Sequence, residues 1–378
     1  MSQLLEKQIE AVVFRFKIKG KVMSIKPFGS GHINRSYIVL VSSDGGATEK
    51  KYILQQINTN VFRDPETLMD NIHRVTSHIR QKLREEGKDP ERGTLHMLKD
   101  RTERSRYVKD DFGSYWRMYG FIDDSFAYDS VDCPDTFRNA ARMFGKFQAQ
   151  LADFPAYTLY ETIPHFHDTG SRYLDFEAAV ARDLAGRAAS VQEEIAFVRA
   201  HRTETYCIQN HIIAGEIPLR VTHNDTKLNN VLMDSNGEGL CVIDLDTVMP
   251  GSALYDFGDS IRFGASTAAE DEPDLSKVEL NLELFEAFAD GYLETAGKAM
   301  NTLERRLMPF SAKMMTLECG MRFLADYLNG DVYFKIEHSE HNLLRARTQF
   351  KLVQEDEEKM AEMDAIIARL CEKYQLEY

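Results

Sequence analysis

Apolar and polar residues alternate in several short stretches of the first 120 residues, in the manner of β-strands. The alternation predicts strands over 21–28, 36–41, 52–57, 94–98, 106–108 and 114–121. The second and third strands are separated by an Asp-Gly-Gly sequence at 44–46, which is typical of a hairpin turn because glycine tolerates positive φ. A sheet is therefore expected in this part of the chain.

Helical spacing of apolar residues predicts the other elements. One helix covers 4–16, and Asp64 with Pro65 begins a longer one that ends near Glu86, since aspartate caps helices and proline is accommodated at the first helical position. Later helices are predicted over 137–147, 176–201, 280–296, 307–328 and 350–374. The pattern predicts an α+β chain, with a small strand-rich part over 1–120, a boundary near 119–123 and a larger, mainly helical part over 124–378.

The balance of charges narrows the class of partner. The 378 residues include 60 acidic and 46 basic side chains, which gives a formal net charge of -14. Nucleic acid and anionic membranes need a basic face, so neither is expected as the main partner. A small polyanionic substrate remains compatible with this charge if a local basic pocket or a bound cation receives it.

The cysteines indicate a reducing compartment. There are five, an odd number, and no two of them form a C-x-x-C pair, so reduced thiols are expected rather than a disulfide framework. No apolar run approaches the ~20 residues of a membrane span. The first residues contain an acid and no uninterrupted apolar core, so they do not resemble a signal peptide. A cytoplasmic location is the expectation.

The segment 220–246 carries the most specific chemical pattern. His223 and Asp225 open a polar loop, Asn230 follows five residues after Asp225, and Asp244 ends a later apolar run. The sequence H-N-D-x-x-x-x-N stands where protein kinases carry H-R-D-x-x-x-x-N, followed by a metal-binding aspartate. Asp225 is suited to accept a hydroxyl proton, and the oxygens of Asn230 and Asp244 suit Mg²⁺. A plain polar turn is the alternative, and the full spacing disfavours it.

With this loop, the strand-rich part followed by a helical part predicts a two-lobe protein-kinase-like fold. The glycines of the 27–34 segment would let backbone N–H groups approach phosphates. The segment matches neither a Walker A sequence nor a dinucleotide-binding fingerprint. Taken alone it would read as a hairpin.

Three features leave alternatives open. The third strand has glutamines where a protein kinase has its phosphate-binding lysine, so Gln55, Gln56, Lys51 or an arginine from elsewhere would have to contact the phosphates. Asp256 and Asp259 are expected to be structural, either capping a helix or holding the backbone of the catalytic loop.

The third feature is an arginine on an apolar helix. The spacing of Arg322 and Asp326 favours a surface ion pair within that helix, although a substrate contact is also compatible with it.

Longer runs make the resemblance more specific. The catalytic loop resembles the aminoglycoside phosphotransferase and choline kinase superfamily. The chain is further similar to N-acetylhexosamine 1-kinases over nearly its full length, in the runs 31–34, 52–56, 165–169, 220–234, 243–267 and 318–328. The paired glutamines of the third strand also occur in that family, so their presence does not imply an inactive enzyme.

The resemblance implies ATP-dependent phosphorylation of the anomeric hydroxyl of N-acetylglucosamine or N-acetylgalactosamine. It implies that Asp225 is the base and binds the sugar hydroxyl, and that Asn230 and Asp244 hold magnesium. It also implies a sugar pocket and a nucleotide site. The expected sugar contacts, besides Asp225, are His32, Phe263, Arg322 and Tyr333, and the expected nucleotide contacts are Gly29, Gly31, Tyr119, Phe121 and Ile122.

Two rival functions stay open. One is a kinase of the same superfamily for choline, homoserine or an aminoglycoside, whose pocket should be rich in carboxylates and aromatic rings. The other is a nucleotide-binding pseudokinase that acts as a scaffold. The intact Asp225, Asn230 and Asp244 argue against the second.

Overall fold

An antiparallel five-stranded sheet organises the N-terminal part of the chain. The computed structural model describes residues 3–29, 33–43, 48–131 and 133–378. Within them the sheet has the order β1-β2-β3-β5-β4. Its strands are β1 Lys21–Pro27, β2 Arg35–Ser43, β3 Thr48–Gln56, β4 Val108–Lys109 and β5 Tyr115–Gly120. The register of β3 on β5 sets Gln55 opposite Arg117.

Two helices accompany this sheet, with a third short one after them. Helix α1 is Gln3–Val13, α2 is Pro65–Glu85 and α3 is Pro90–Gly93. The Asp64 carboxylate accepts the N–H of Thr67 and so caps α2, as the sequence predicts. The core of this unit joins Ile9 and Phe16 to sheet residues such as Val39 and Leu54, all almost fully buried. This unit comprises Met1–Phe126 together with Leu240–Asp246.

The second unit, Ala127–Gly239 with Thr247–Tyr378, is mainly helical. Its helices are α4 Pro134–Gln150, α5 Thr169–Arg182, α6 Gln192–Ala200, α7 Cys207–Ile213, α8 Ala253–Gly264, α9 Leu282–Ala296, α10 Thr302–Arg306, α11 Met308–Leu328, α12 His341–Glu358 and α13 Met360–Lys373. Its short strands are β6 Arg220–Thr222, β7 Val231–Met233 and β9 Met249–Gly251, and β6 pairs with β9. Strand β8, Gly239–Val242, lies in the first unit except for Gly239. The predicted α+β class, with a strand-rich N-terminal sheet and a helical C-terminal part, is confirmed.

Helix α8 packs closely against neighbouring elements on two sides. Gly258 of α8 lies so near α11 that a Cβ there would collide with the carbonyl oxygen of Ser311. Aromatic rings fill the other side of α8, where Phe257 contacts Phe288 and Tyr292. Helix α8 is therefore fixed on both sides, and this matters because it carries Asp256 and Asp259.

Three expectations from the pattern are wrong. The segment 94–98 forms only an isolated bridge between Met97 and Tyr119. The helix expected over 176–201 is two helices, because Asp183 takes the left-handed conformation and ends α5. The helix expected over 350–374 starts earlier and is broken at Lys359 into α12 and α13. Apolar residues keep helical spacing across both breaks, so the sequence pattern does not reveal them.

Other expectations concern single features. The turn at 44–46 lies outside the described residues. All five cysteines are free. Within the described part of the chain, no helix has both the length and the apolar character needed to cross a membrane.

Candidate active site

The loop that follows β6 is held by one buried carboxylate. Asp256, near the start of α8, accepts the backbone N–H of His223 at 3.0 Å and that of Asn224 at 2.8 Å. The side-chain amide of Gln148 donates to the same carboxylate at 2.7 Å. Burial raises the pKa of Asp256, while these donors and His223 favour its ionised form. The expected structural role of Asp256, holding the catalytic loop backbone, is confirmed.

Further contacts fix the turn of this loop. Asn224 has a φ of 64°, a conformation that asparagine tolerates better than most residues. Its side chain donates to the carbonyl of Thr247 at 2.8 Å. One residue beyond Asp225, the N–H of Thr226 donates to Asp259 at 3.1 Å. Asp259 is thus a second carboxylate that holds loop backbone, as the sequence predicts.

Asp225 differs from the two buried aspartates that hold the loop, because its carboxylate is partly exposed. Its side chain is 29 % exposed and lies 3.0 Å from the Lys227 ammonium group. The Asn230 amide donates to the Asp225 carbonyl at 2.8 Å and to its carboxylate at 3.2 Å. Burial opposes the charge of Lys227, but Asp225 nonetheless raises the pKa of that lysine above its ordinary value. A partly exposed carboxylate with a fixed backbone is suited to accept a proton.

Asn230 and Asp244 are the candidate metal ligands. Because the Asn230 amide nitrogen faces Asp225, its oxygen is the atom left for a cation. Asp244 belongs to the first unit, follows β8 and has a φ of 56°. Carboxylate and amide oxygens are ligands that Mg²⁺ accepts, so the donor types fit that ion.

A buried ion pair lies close to Asp244 in the sequence. Arg117 of β5 is 1 % exposed and pairs with Asp246, whose other oxygen accepts the amide of Asn34. Gln55 accepts the Arg117 Nε–H at 3.0 Å. Burial opposes the charge, but Asp246 raises the pKa of Arg117. These contacts connect the segment after β8 to Asn34, the last residue of the glycine-containing segment 27–34.

The contacts of Arg117 bear on the missing strand lysine. Lys51 is engaged elsewhere, because its ammonium group pairs with Asp123 at 2.9 Å near the surface. Gln55 is engaged by Arg117. Arg117 on the neighbouring strand is itself buried and paired with Asp246, so these contacts select none of the candidate phosphate-binding residues.

Three of the candidate sugar contacts, Phe263, Arg322 and Tyr333, lie in the second unit. The guanidinium of Arg322 lies over the rings of Phe166, Tyr333 and Phe334, at 5.4, 5.9 and 5.6 Å from their centroids. The side chain of Tyr333 is largely exposed, and Phe263 on α8 is also exposed. The structure therefore brings Arg322 and Tyr333 together.

The surface pair of Arg322 with Asp326 is a wrong expectation. Asp326 is buried and accepts the backbone N–H groups of Val332, Tyr333 and Phe334 at 2.9–3.0 Å. Three donors from one loop satisfy this carboxylate better than a single flexible side chain would. Asp326 therefore shapes the loop that presents Tyr333 to Arg322.

The candidate nucleotide contacts are in the first unit. Gly29 has a φ of 80°, which favours glycine. Tyr119 and Ile122 are buried at and just after the end of β5, and burial raises the pKa of Tyr119. The ring of Phe121 contacts that of Phe28 edge-on at 6.0 Å. Gly31, also expected at the nucleotide site, and His32, expected at the sugar pocket, lie outside the described residues.

Comparison with known proteins identifies the class. A model of the phosphotransferase enzyme family (APH) matches residues 24–300. The chain belongs to the phosphotransferase enzyme family. Since the match includes the whole catalytic loop and Asp244, it bears on the residues that carry the predicted chemistry.

Solved structures share the fold of this phosphotransferase. An aminoglycoside phosphotransferase from Alicyclobacillus acidocaldarius subsp. acidocaldarius DSM 446 is 12 % identical, with a TM-score of 0.55 over 97 % of this chain and 96 % of that one. Spectinomycin phosphotransferase in complex with ADP and spectinomycin is 14 % identical, with a TM-score of 0.52 over 94 % and 97 %. Choline kinase from Cryptosporidium parvum Iowa II is 14 % identical, with a TM-score of 0.53 over 91 % of each chain.

These likenesses confirm the protein-kinase-like fold that the sequence predicts. Matches at 12–14 % identity establish the fold alone. They do not select an acceptor for this phosphotransferase.

Two residues of this phosphotransferase received no role from the sequence. His167 and Glu318 are buried and bonded to each other, and His167 also contacts the loop at Asn224. A signal was present, because Glu318 interrupts the apolar run of α11, and a buried charge needs a partner. The identity of that partner did not follow from spacing.

Proposed function

We propose that this phosphotransferase transfers the γ-phosphoryl group of ATP to the anomeric hydroxyl of N-acetylglucosamine or N-acetylgalactosamine, giving ADP and the sugar 1-phosphate. The observation that carries the proposal is Asp225, a partly exposed carboxylate bonded to Asn230 on a loop that two buried aspartates hold. The similarity of the long runs to N-acetylhexosamine 1-kinases supplies the acceptor.

Asp225 would act as the base. The sugar O1 attacks the γ-phosphorus, the bond from that phosphorus to the β,γ-bridging oxygen breaks, and ADP leaves. The proton of O1 passes to the Asp225 carboxylate. An anomeric hydroxyl is more acidic than an ordinary alcohol, so a weak base is adequate. The Lys227 ammonium group lies 3.0 Å from the same carboxylate.

Magnesium would supply positive charge to the phosphate oxygens. Asn230 and Asp244 are proposed as its ligands on the basis of the motif and of the oxygens that they offer. The pair of Arg117 with Asp246 would fix the segment that contains Asp244. A chelator should abolish turnover and added magnesium should restore it, whereas a metal-independent rate would remove this role from both residues.

The first unit would hold the nucleotide. We assign phosphate contacts to Gly29 and Gly31, and adenine contacts to the hinge, at Tyr119, Phe121 and Ile122. In this proposal the nucleotide-binding lobe covers 1–120, with the hinge at 119–123, and the catalytic and sugar-binding lobe covers 124–378. The five free thiols suit a cytoplasmic enzyme.

The charge at the proposed acceptor pocket favours a neutral sugar. Arg322 lies among three aromatic rings, and a fixed guanidinium would repel choline or an aminoglycoside. A neutral sugar instead gains hydrogen bonds from Arg322 and apolar contact from a ring such as Tyr333 or Phe263. His32 is proposed as a further hydrogen-bond partner.

ADP release with magnesium and ATP tests the acceptor. The panel contains N-acetylglucosamine, N-acetylgalactosamine, galactose, choline, homoserine and kanamycin. Turnover confined to the sugars supports the proposal, and phosphorus NMR of the product should locate the phosphate on C1. Turnover with a cationic acceptor would reassign the enzyme to another branch of the superfamily. ATP binding without turnover of any acceptor would favour a scaffold.

A further inference from the structure

A buried histidine connects helix α11 to the catalytic loop. The Nδ1 of His167 lies 2.7 Å from Oε1 of Glu318, and its Nε2 lies 3.2 Å from the carbonyl oxygen of Asn224. The side chains of His167 and Glu318 are 6 % and 1 % exposed. The other oxygen of Glu318 accepts the hydroxyl of Thr169 at 2.9 Å. None of these contacts is needed for the chemistry described above.

The carbonyl partner of His167 determines which ring nitrogen must donate. A backbone carbonyl only accepts, so Nε2 must carry a proton to bond Asn224. The other nitrogen, Nδ1, faces the Glu318 carboxyl group. Burial opposes the charge of Glu318, but the charge and hydrogen bond of His167 hold the pKa of that glutamate below its ordinary value.

The pair of His167 and Glu318 matters because the carbonyl that His167 bonds belongs to a residue of the catalytic loop. Asn224 immediately precedes Asp225, and its left-handed conformation sets the direction in which the chain enters that residue. Asp256 holds the N–H of Asn224, and His167 holds its carbonyl oxygen. The two ends of one residue are thus anchored to different helices, α8 through Asp256 and α11 through Glu318.

We propose that His167 and Glu318 form a positioning pair that fixes the backbone at Asn224 and so orients the Asp225 carboxylate. Arg322 lies one helical turn after Glu318 on α11. The same helix therefore sets the orientation of the base and presents the proposed acceptor contact. This inference rests on the proposed role of Asp225.

The test removes the donor to Asn224 without leaving a buried charge. In the double variant His167→Phe with Glu318→Met both members of the pair become apolar, a replacement that buried ion pairs often tolerate. We expect kcat to fall about 10- to 100-fold, the loss typical of leaving one buried carbonyl without its donor. The KM for ATP should stay within about twofold, because the nucleotide does not depend on α11.

A conservative variant should restore the rate. In Glu318→Gln the new amide donates to Nδ1, and a neutral His167 keeps the Nε2 proton that Asn224 needs. We expect its kcat to be within about threefold of the wild type. Equal losses of kcat in Glu318→Gln and in the double variant would contradict a role through the Asn224 carbonyl.

The chain offers a matched control. His201 also bonds a backbone carbonyl and a glutamate, through Nδ1 to Phe197 at 2.8 Å and through Nε2 to Glu357 at 3.0 Å, but it does not contact the catalytic loop. His201→Phe should lower Tm without lowering kcat at temperatures well below Tm. If it lowers kcat as much as the double variant does, the effect is one of general stability and the proposal fails.

Two further measurements separate the possible failures. Asp225→Asn should lose turnover whatever His167 does. Normal turnover in that variant would overturn the proposed base, whereas normal kcat in the double variant alone would overturn only the positioning pair. Nitrogen NMR of the imidazole rings needs no turnover at all. A proton on Nε2 of His167 at neutral pH is expected, and a ring protonated on Nδ1 alone would contradict the hydrogen bond to the Asn224 carbonyl.

Discussion

Oδ1 of Asp256 accepts the backbone N–H of Asn224 at 2.8 Å, on the residue immediately before Asp225. Oδ2 accepts the N–H of His223. The loop is therefore fixed through its backbone, independently of the Asp225 side chain. This leaves the Asp225 carboxylate free to act on a substrate while its position is set by a buried, immobile group.

Replacing this carboxylate by an amide should damage both stability and rate. Asp256→Asn sets an NH₂ group against at least one of the loop N–H donors, and an unsatisfied buried donor costs about 1–3 kcal/mol. We expect a lower Tm and a kcat reduced at least tenfold. Thermal unfolding and initial rates measured on the same preparation test this. An unchanged kcat would mean that the loop keeps its geometry without Asp256.

Arg117→Met should destabilise the first unit more than most single changes. It leaves Asp246 buried without its charged partner, and breaking such a pair costs about 3–5 kcal/mol. The double variant Arg117→Met with Asp246→Asn removes the unpaired charge and should recover part of the loss. Urea unfolding of the two variants makes the comparison. If the double variant is no more stable than Arg117→Met, the unpaired charge is not the cause.

Two buried carboxylates, Glu318 and Asp259, determine how the stability of the fold should change at acidic pH. Burial opposes ionisation in both, but His167 lowers the pKa of Glu318 and Arg262 lowers that of Asp259. Since the unfolded chain binds these protons at higher pH, the stabilisation is present above the ordinary pKa values, 4.5 for Glu318 and 3.8 for Asp259, and is lost as pH falls through the folded values. Tm should therefore fall at pH below those values. The fall should be smaller in Glu318→Gln, and an equal slope would exclude Glu318 as a contributor.

Arg322→Ala should affect the acceptor far more than the nucleotide. Its guanidinium lies over the ring of Tyr333 and is proposed to bond the sugar, so the acceptor KM should rise about tenfold or more while the ATP KM stays within about twofold. Arg347→Ala is the control, because Arg347 forms only an exposed pair with Glu194. Equal increases in both KM values would return Arg322 to a structural role.

The candidate residues that lie close together in the chain could be predicted from the sequence. The spacing of Asp225, Asn230 and Asp244 is carried by one short stretch, so a motif suffices to recognise it. Asp256 was assigned its structural role from its place near a helix start. The strands of the sheet were also predictable, because alternation reports one buried face.

The remaining part depends on contacts between distant positions. His167 and Glu318 are 151 residues apart in the chain, and nothing in the spacing of either identifies the other. Arg117 lies on a strand that the sequence predicts, yet its pairing with Asp246 depends on the tertiary fold. The end of α5 at Asp183 was missed because apolar spacing resumes after the break.

The most direct test of the proposed function compares wild type with Asp225→Asn in the presence of magnesium, ATP and N-acetylglucosamine or N-acetylgalactosamine. ADP release and phosphorus NMR are followed together, with nucleotide binding measured separately. The proposal predicts a sugar 1-phosphate from the wild type, and from Asp225→Asn a rate reduced at least 100-fold with ATP affinity retained. Near-normal turnover by Asp225→Asn, or no sugar phosphate from the wild type, would contradict it.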